Sequence, residues 1–276
     1  QGDTTTTFVG ALAAFYHKVP VGHVEAGLRT DDPYQPFPEE INRRLTTQVA
    51  TWHFAPTSVA EARLLGEGVD PSRIVVTGNT VIDALLDVAG RPYEFGPGAV
   101  AEALSGDRRI VLVTTHRREN WGEPIRQVCE AVCDLIRQFD DIHVLYACHS
   151  NPLVRGTAEE LLGDVERVDL LGPVGYLPFV KLMQASVLIL SDSGGIQEEA
   201  PSLGKPVLVL RNTTERPEAL DAGTVKLVGT NRGQIVREAG TLLADAAAYN
   251  AMARRANPFG DGHAAERIVA MLAAEV

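Results

Sequence analysis

Chemistry-bearing residues in this chain gather just after its apolar runs. In 186-SVLILSDSGGIQEEAPSLGKPVLVL-210 an apolar run stops at Leu190, and Ser193, Gly194 and Gly195 precede a helical pattern. Glycine lets the backbone approach an anion, and a helix start offers unpaired N–H groups and a partial positive charge. The segment is therefore either a plain tight turn or a phosphate cradle. Neither G-x-G-x-x-G nor G-x-x-x-x-G-K-[ST] occurs, so a dinucleotide fingerprint and a Walker lysine both lack support. Glu198 and Glu199 suit the start of a helix electrostatically, by a few tenths to about 1 kcal/mol. A second use for them is a ribose diol, whose two O–H groups match the two oxygens of one carboxylate.

Two further loops follow apolar runs. In 211-RNTTERPEA-219, Arg216 could pair with a diphosphate through its planar fork, or stand as a surface arginine. In 114-TTHRRENWG-122, His116 stands beside two arginines, where it is either solvated or in contact with an anion. The first part of the chain offers acids instead. Asp3 lies in 1-QGDTTTTF-8, Glu25 in 23-HVEAGLRT-30, and Glu39 opens a helical pattern after a Pro-rich loop. Each alone is an ordinary solvated acid. Together, across a cleft from an anion site, they would suit proton transfer beside a bound nucleotide.

These residues need elements to hold them. Helical spacing runs over residues 4–18, from Glu39 through Val49, and from a Thr57 or Ser58 cap to Gly66. Strands are expected at 19–26 and 73–80, and residues 1–3 read as the end of a strand entering a helix. Residues 78–107 read as a linker, because 90-GRPYEFGPG-98 is the densest Pro/Gly cluster. Beyond it, strands are expected at 109–115, 142–148, 167–171, 186–191, 206–210 and 225–229. Helices fall at 123–139, 152–162, 176–184, 195–203, 231–246 and 261–274. Continuous apolar strands alternating with helices imply parallel sheets covered on both faces, with ligands beyond the C-terminal strand ends. Gly204 would end the helix after the glutamates, and Lys205 would begin the next strand.

Composition narrows the function classes. Lysine and arginine number 25 against 36 acids, a net charge of −11, which argues against a general nucleic-acid binder. Three cysteines give no disulfide framework, and Cys129 and Cys133 fall on an apolar helical stripe with Ile125, Val128, Val132 and Ile136. A reducing cytoplasm is the expected location. No apolar stretch reaches the length of a membrane span, so no membrane partner is expected.

Taken in order, 2-GDTTTT-7, 20-PVGHVEAGLRT-30, 38-PEEINRRL-45, 76-VTGNTVIDALL-86, 111-VLVTTHRREN-120, 176-YLPFV-180, 192-DSGGIQEEAPSLGKPVLVLRNTTERPEA-219 and 222-AGTVKLVGT-230 resemble the non-hydrolysing UDP-N-acetylglucosamine 2-epimerase family. The resemblance implies an α/β fold of two Rossmann-like domains around a cleft, GT-B-like, with the N-terminal domain incomplete. Residues 1–79 would be the C-terminal part of the first domain, 80–256 the linker and UDP-binding second domain, and 257–276 a helix packing back on the first. It implies interconversion of UDP-GlcNAc and UDP-ManNAc by elimination of UDP to 2-acetamidoglucal and re-addition, with no nicotinamide or other cofactor and no metal. Family members usually act as dimers, and many bacterial ones bind a second UDP-GlcNAc as activator. Asp3, Glu25 and Glu39 match the catalytic acids. His116, counted with them, matches the histidine at the diphosphate. Ser193, Gly194 and Gly195 match the phosphate cradle, Glu199 the ribose acid, Arg216 the arginine at the nucleotide and Phe179 a uracil-site residue. At Val174 some relatives carry a polar residue, so base contacts there would come from backbone. Any of the three acids could be the base in a given step. Family members extend further at the N-terminus, so residues 1–276 alone are expected to epimerise weakly or not at all. The alternatives are a GT-B glycosyltransferase using a UDP-sugar, a hydrolysing epimerase, and an inactive nucleotide-sugar-binding homologue.

Overall fold

A computed structural model describes residues 1–275, the side chain of Glu275 excepted, as two α/β units. The first comprises residues 1–86 and 258–275, the second residues 87–257.

The first unit holds a three-stranded parallel sheet, β1 (Gly22–Val24), β2 (Trp52–Ala55) and β3 (Ile74–Val76), in that order. Around it lie α1 (Thr5–Tyr16), α2 (Glu39–Val49), α3 (Ser58–Gly66) and the first part of α4 (Thr80–Gly90). The side chain of Thr57 accepts from Ala60 N–H and caps α3, as the sequence suggested. Residues 1–3 form no strand; Gly2 N–H donates to the Val24 carbonyl at 3.1 Å, which sets Asp3 beside the C-terminal end of β1. Strand β2 was not expected, because four residues between a helix and a cap show no period to read.

The second unit opens after Leu86, inside α4, and continues with α5 (Ala99–Ser105). The expected linker over 78–107 is thus largely helical; only the Pro/Gly stretch at its centre is irregular. Six strands follow: β4 (Arg109–Thr115), β5 (Ile142–Cys148), β6 (Val168–Leu171), β7 (Ser186–Ser191), β8 (Val207–Val209) and β9 (Val225–Leu227). Helices α6 (Glu123–Gln138), α7 (Pro152–Leu162), α8 (Tyr176–Ala185), α9 (Gly194–Ser202), α10 (Pro217–Asp221), α11 (Arg232–Ala244) and α12 (Ala246–Ala253) connect and flank them. Helix α13 (Ala264–Glu275) belongs to the first unit.

The six strands are parallel and ordered β6-β5-β4-β7-β8-β9. That is the doubly wound order in which the winding direction reverses between β4 and β7. In the middle of the sheet Val111 lies opposite Val144 on one side and Leu188 on the other. All three are fully buried, which explains why these strands read as continuous apolar runs. Helix α6 packs its Val128, Val132 and Leu135 stripe into the same core, with Cys129 among them. Burial pushes the Cys129 thiol up to about 12, so it behaves as a small core residue.

Two buried imidazoles in the first unit couple its stability to pH. Burial pushes both His23 and His53 from 6.5 down to about 4. In the unfolded chain they protonate near 6.5, whereas the fold keeps them neutral until about 4, so their contribution is complete above 6.5. It is lost as pH falls from 6.5 toward about 4. Thermal melts across that interval should show the first unit weakening, and His53→Gln should flatten the dependence.

Candidate functional site

The reversal point between β4 and β7 is where an open α/β sheet binds its ligand, and there the chain places a buried carboxylate. Asp192 follows β7 and is completely buried. It accepts from His116 N–H at 3.0 Å, Arg117 N–H at 3.0 Å and Asn120 Nδ2 at 2.9 Å. His116 Nδ1 lies 2.9 Å from its Oδ1. Burial opposes the charge, yet the bonds from His116, Arg117 and Asn120 prevail and hold the carboxyl below its ordinary value. A carboxylate only accepts, so Nδ1 of His116 carries a proton toward Asp192. Asn120 also donates to the Leu210 carbonyl at 3.1 Å, so one cluster joins the ends of β4, β7 and β8.

On this base stands a candidate anion cradle. Gly194 and Gly195 open α9, and Ser193 precedes them without a side-chain cap bond. A Cβ on Gly194 would lie 3.6 Å from Arg117 Nη2 and 3.8 Å from Arg216 Nη2. Two guanidinium groups therefore reach the helix start, beside first-turn N–H groups that have no intrahelical partner. Arg216 is aimed by Glu198, which accepts from its Nε, and by Thr214, whose hydroxyl accepts from Arg216 N–H at 3.1 Å and donates to Gln197 at 2.6 Å. Buried Arg211 donates to Glu215 at 2.7 Å and Glu119 at 2.9 Å, fastening the loop after β8 to the loop after β4. Burial works against the Glu215 charge, but Arg211 dominates and brings the carboxyl down to about 2.

Glu199, on the second turn of α9, is buried and accepts the Tyr176 hydroxyl at 2.5 Å. Next to His116 a cavity of about 340 Å³ is lined by Cys148, His149, Gly172, Val174 and Phe179. A larger cavity of about 740 Å³ lies among Glu123, Arg211, Thr230 and Asn231 and contains none of the residues singled out from sequence. Lys205 is half-buried, and burial lowers its pKa.

The acids of the first unit form their own cluster. Asp3 accepts from Arg43 Nη2 at 2.5 Å. Arg43 is buried on α2, and its Nη1 lies 3.5 Å from Glu40. Fully buried Glu40 in turn accepts from Thr30 N–H at 3.1 Å and Arg44 Nε at 2.8 Å. Glu25 has φ of 70°, a strained conformation for a side-chain-bearing residue, and accepts from Asn79 at 3.2 Å. Its turn is wedged by Gly27, where a Cβ would come within 2.3 Å of the Ala60 carbonyl. Glu25 Oε2 lies 3.4 Å from where a Gly2 Cβ would be, so Asp3 and Glu25 are near neighbours. Glu39 is in the first turn of α2, one turn before Arg43, and is half-buried.

The structure thus brings His116, Ser193, Gly194, Gly195, Glu199 and Arg216 together around α9, with Phe179 sharing the His116 cavity. Asp3 and Glu25 come together in the first unit. Sequence reasoning missed Asp192, Arg117, Arg43, Glu40 and Tyr176. The D in DSGG directly after a strand was the available signal for Asp192. Among the described residues no group of three or more His, Cys, Asp or Glu is arranged to hold a metal.

A parallel sheet in doubly wound order, with a helix start and two guanidinium groups at its reversal point, defines the class of Rossmann-like α/β proteins. The chain belongs to the UDP-N-acetylglucosamine 2-epimerase family, whose model matches residues 1–273. It is 52% identical over 277 residues to the UDP-N-acetylglucosamine 2-epimerase of Escherichia coli K12, covering 99% of this chain and 74% of that protein. The enzyme of Bacillus subtilis 168 is 50% identical over 98% of this chain and 70% of its own length. Among solved structures, S. aureus MnaA with UDP matches with a TM-score of 0.92 and 48% identity, over 98% of this chain and 73% of that one. The Neisseria meningitidis UDP-GlcNAc 2-epimerase bound to UDP-GlcNAc gives 0.86 and 47%, over 99% and 75%. The GT-B-like α/β fold expected from sequence is the fold of these relatives.

Asp192→Asn should cost about 3 kcal/mol, since an amide turns one acceptor face into a donor against charge-assisted bonds. Urea unfolding should report the loss, and amide exchange at residues 116–120 should accelerate well beyond the rest of the sheet.

Proposed function

We propose that this chain is a non-hydrolysing UDP-N-acetylglucosamine 2-epimerase, interconverting UDP-GlcNAc and UDP-ManNAc. The observation that carries the nucleotide half is Gly194, with Arg117 and Arg216 both within reach of the same helix start. The family and its UDP- and UDP-GlcNAc-bound members support the substrate class.

In this reading the diphosphate lies on Ser193, Gly194 and Gly195. Glu199 accepts the ribose diol, and Phe179 and the backbone near Val174 line the space for uracil. The C2 proton of the sugar is weakly acidic, so a carboxylate must take it as the anomeric C–O bond breaks. The C2–H electron pair becomes the C1–C2 double bond of 2-acetamidoglucal, and the C1–O pair leaves with UDP. Re-addition restores the C1–O bond while a proton is delivered to the opposite face of C2. We assign the proton chemistry to Asp3, Glu25 and Glu39. Arg43 holds Asp3 by a short charge-assisted bond, which suits an acid that must keep one orientation through two proton transfers. Negative charge gathering on the departing UDP would be met by Arg216, His116 and the α9 start, preorganised donors of the kind that lower such barriers most. UDP must stay bound while the glucal exists, and two guanidinium groups at the cradle favour that retention.

The assembly we propose is a homodimer and the location the cytoplasm, following the family resemblance. No helix among the described residues is long and apolar enough to cross a membrane.

Proton NMR of UDP-GlcNAc in D2O should show deuterium entering C2 of both UDP-sugars without any acceptor when the protein carries the N-terminal segment of its family relatives, and little or no exchange with residues 1–276 alone. Free ManNAc with UDP would indicate a hydrolysing enzyme, turnover only with an acceptor a glycosyltransferase, and binding without exchange a sensor. Asp3→Asn should leave UDP affinity intact and slow the exchange by about 100-fold or more. Glu199→Gln should weaken UDP binding by about tenfold without shifting the melting temperature, because it removes a charge-assisted acceptor from the ribose. An unchanged affinity would count against the ribose assignment.

A further inference from the structure

The carboxylate assigned to the ribose already has a partner. Tyr176, the first residue of α8, donates its hydroxyl to Glu199 Oε1 at 2.5 Å. The two residues differ in exposure: Glu199 is buried at 8%, whereas Tyr176 is 44% exposed. The phenol therefore reaches inward from a surface helix to a carboxylate on another helix, 23 positions along the chain.

The other oxygen, Oε2, lies 3.8 Å from where a Gly195 Cβ would stand. One oxygen is thus fixed by the phenol, and the other lies back along α9 on the face that carries Gly195. A carboxylate rotates freely about its last bond unless something fixes it, and here Tyr176 does so. Oε1 keeps a second lone pair, so phenol and ribose hydroxyl can share it. Burial favours the neutral acid and outweighs the opposing bond from Tyr176, and Glu198 next to it adds like charge, so the carboxyl stands above its ordinary value and would stand higher without the phenol. A carboxylic acid in place of the carboxylate would turn one of the two acceptors into a donor and mismatch a diol.

We propose that Tyr176 is a positioning residue that orients Glu199 for a ribose diol and so makes the nucleotide site selective for ribose over deoxyribose. The proposal rests on the UDP reading of the cradle and adds a specificity device to it. Tyr176 acts through Glu199, and its partial exposure leaves it reachable as the nucleotide enters.

Isothermal titration of wild-type protein and Tyr176→Phe with UDP and 2′-deoxy-UDP tests it. Loss of one hydroxyl from a half-exposed ring leaves the fold intact, which circular dichroism and a melting curve verify. The wild type should prefer UDP over 2′-deoxy-UDP by about tenfold or more, as sites built to bind a hydroxyl do. Tyr176→Phe should weaken UDP by about tenfold and 2′-deoxy-UDP by less than about threefold, so that most of the preference disappears. Equal weakening of both ligands would assign Tyr176 a merely structural role and overturn the proposal, as would unchanged binding of both. Failure of the wild type to bind UDP at all would instead overturn the nucleotide reading on which the proposal stands.

Discussion

The second unit depends on one buried charge. Asp192 has no exposed surface, and an ion in such a place is tolerated only when its lone pairs are filled. Backbone N–H groups of His116 and Arg117 and the amide of Asn120 fill them, and the cost of burying the carboxylate falls on the loop that must supply those donors. That loop can take few other conformations while the carboxylate is ionised. Arg117 is thereby held at the helix start, and His116 presents one defined nitrogen to the site. The Arg211 ion pairs add the third loop to the same frame. The loops around the α9 start are thus cross-linked by hydrogen bonds and ion pairs, an arrangement suited to stabilising charge without reorganisation.

The first unit is organised around a cation. Arg43 is buried, and its Nε and Nη1 have no hydrogen-bond partner, while Nη2 is committed to Asp3. Glu40 beneath it is fixed by Thr30 and Arg44. The strained Glu25 lies beside Gly2, in a turn too tight for any side chain at Gly27. Orientation in this cluster is bought with backbone strain and a costly buried charge, the usual accompaniment of a functional site.

Much of this was visible in the chain. The runs RIVLVTT, IHVLYAC and SVLILS are strands in the structure at the expected residues, because both faces of each are buried and only apolar side chains fit. The glycines before α9 were legible because a strand, a glycine pair and a helical pattern follow one another within a few residues; the partners of Glu198 and Glu199, Arg216 and Tyr176, lie 18 and 23 positions away. Strand β2 and helices α4 and α5 were not: the first is too short to show a period, and the others flank a Pro/Gly cluster that masks them. Two of the unseen residues, Asp192 and Arg43, are defined by distant partners. Asp192 meets His116 across 76 positions, and Arg43 meets Asp3 across 40, so no window of sequence contains both members of either pair.

The chain also returns to where it started. Asn79 N–H donates to the Phe259 carbonyl at 2.7 Å, and Arg267 donates to the Thr77 carbonyl at 2.9 Å, so residues 258–275 complete a unit begun by residues 1–86. The second unit is one uninterrupted segment, whereas the first is divided in sequence. Closing of the first unit therefore depends on residues that are translated only after the whole of the second.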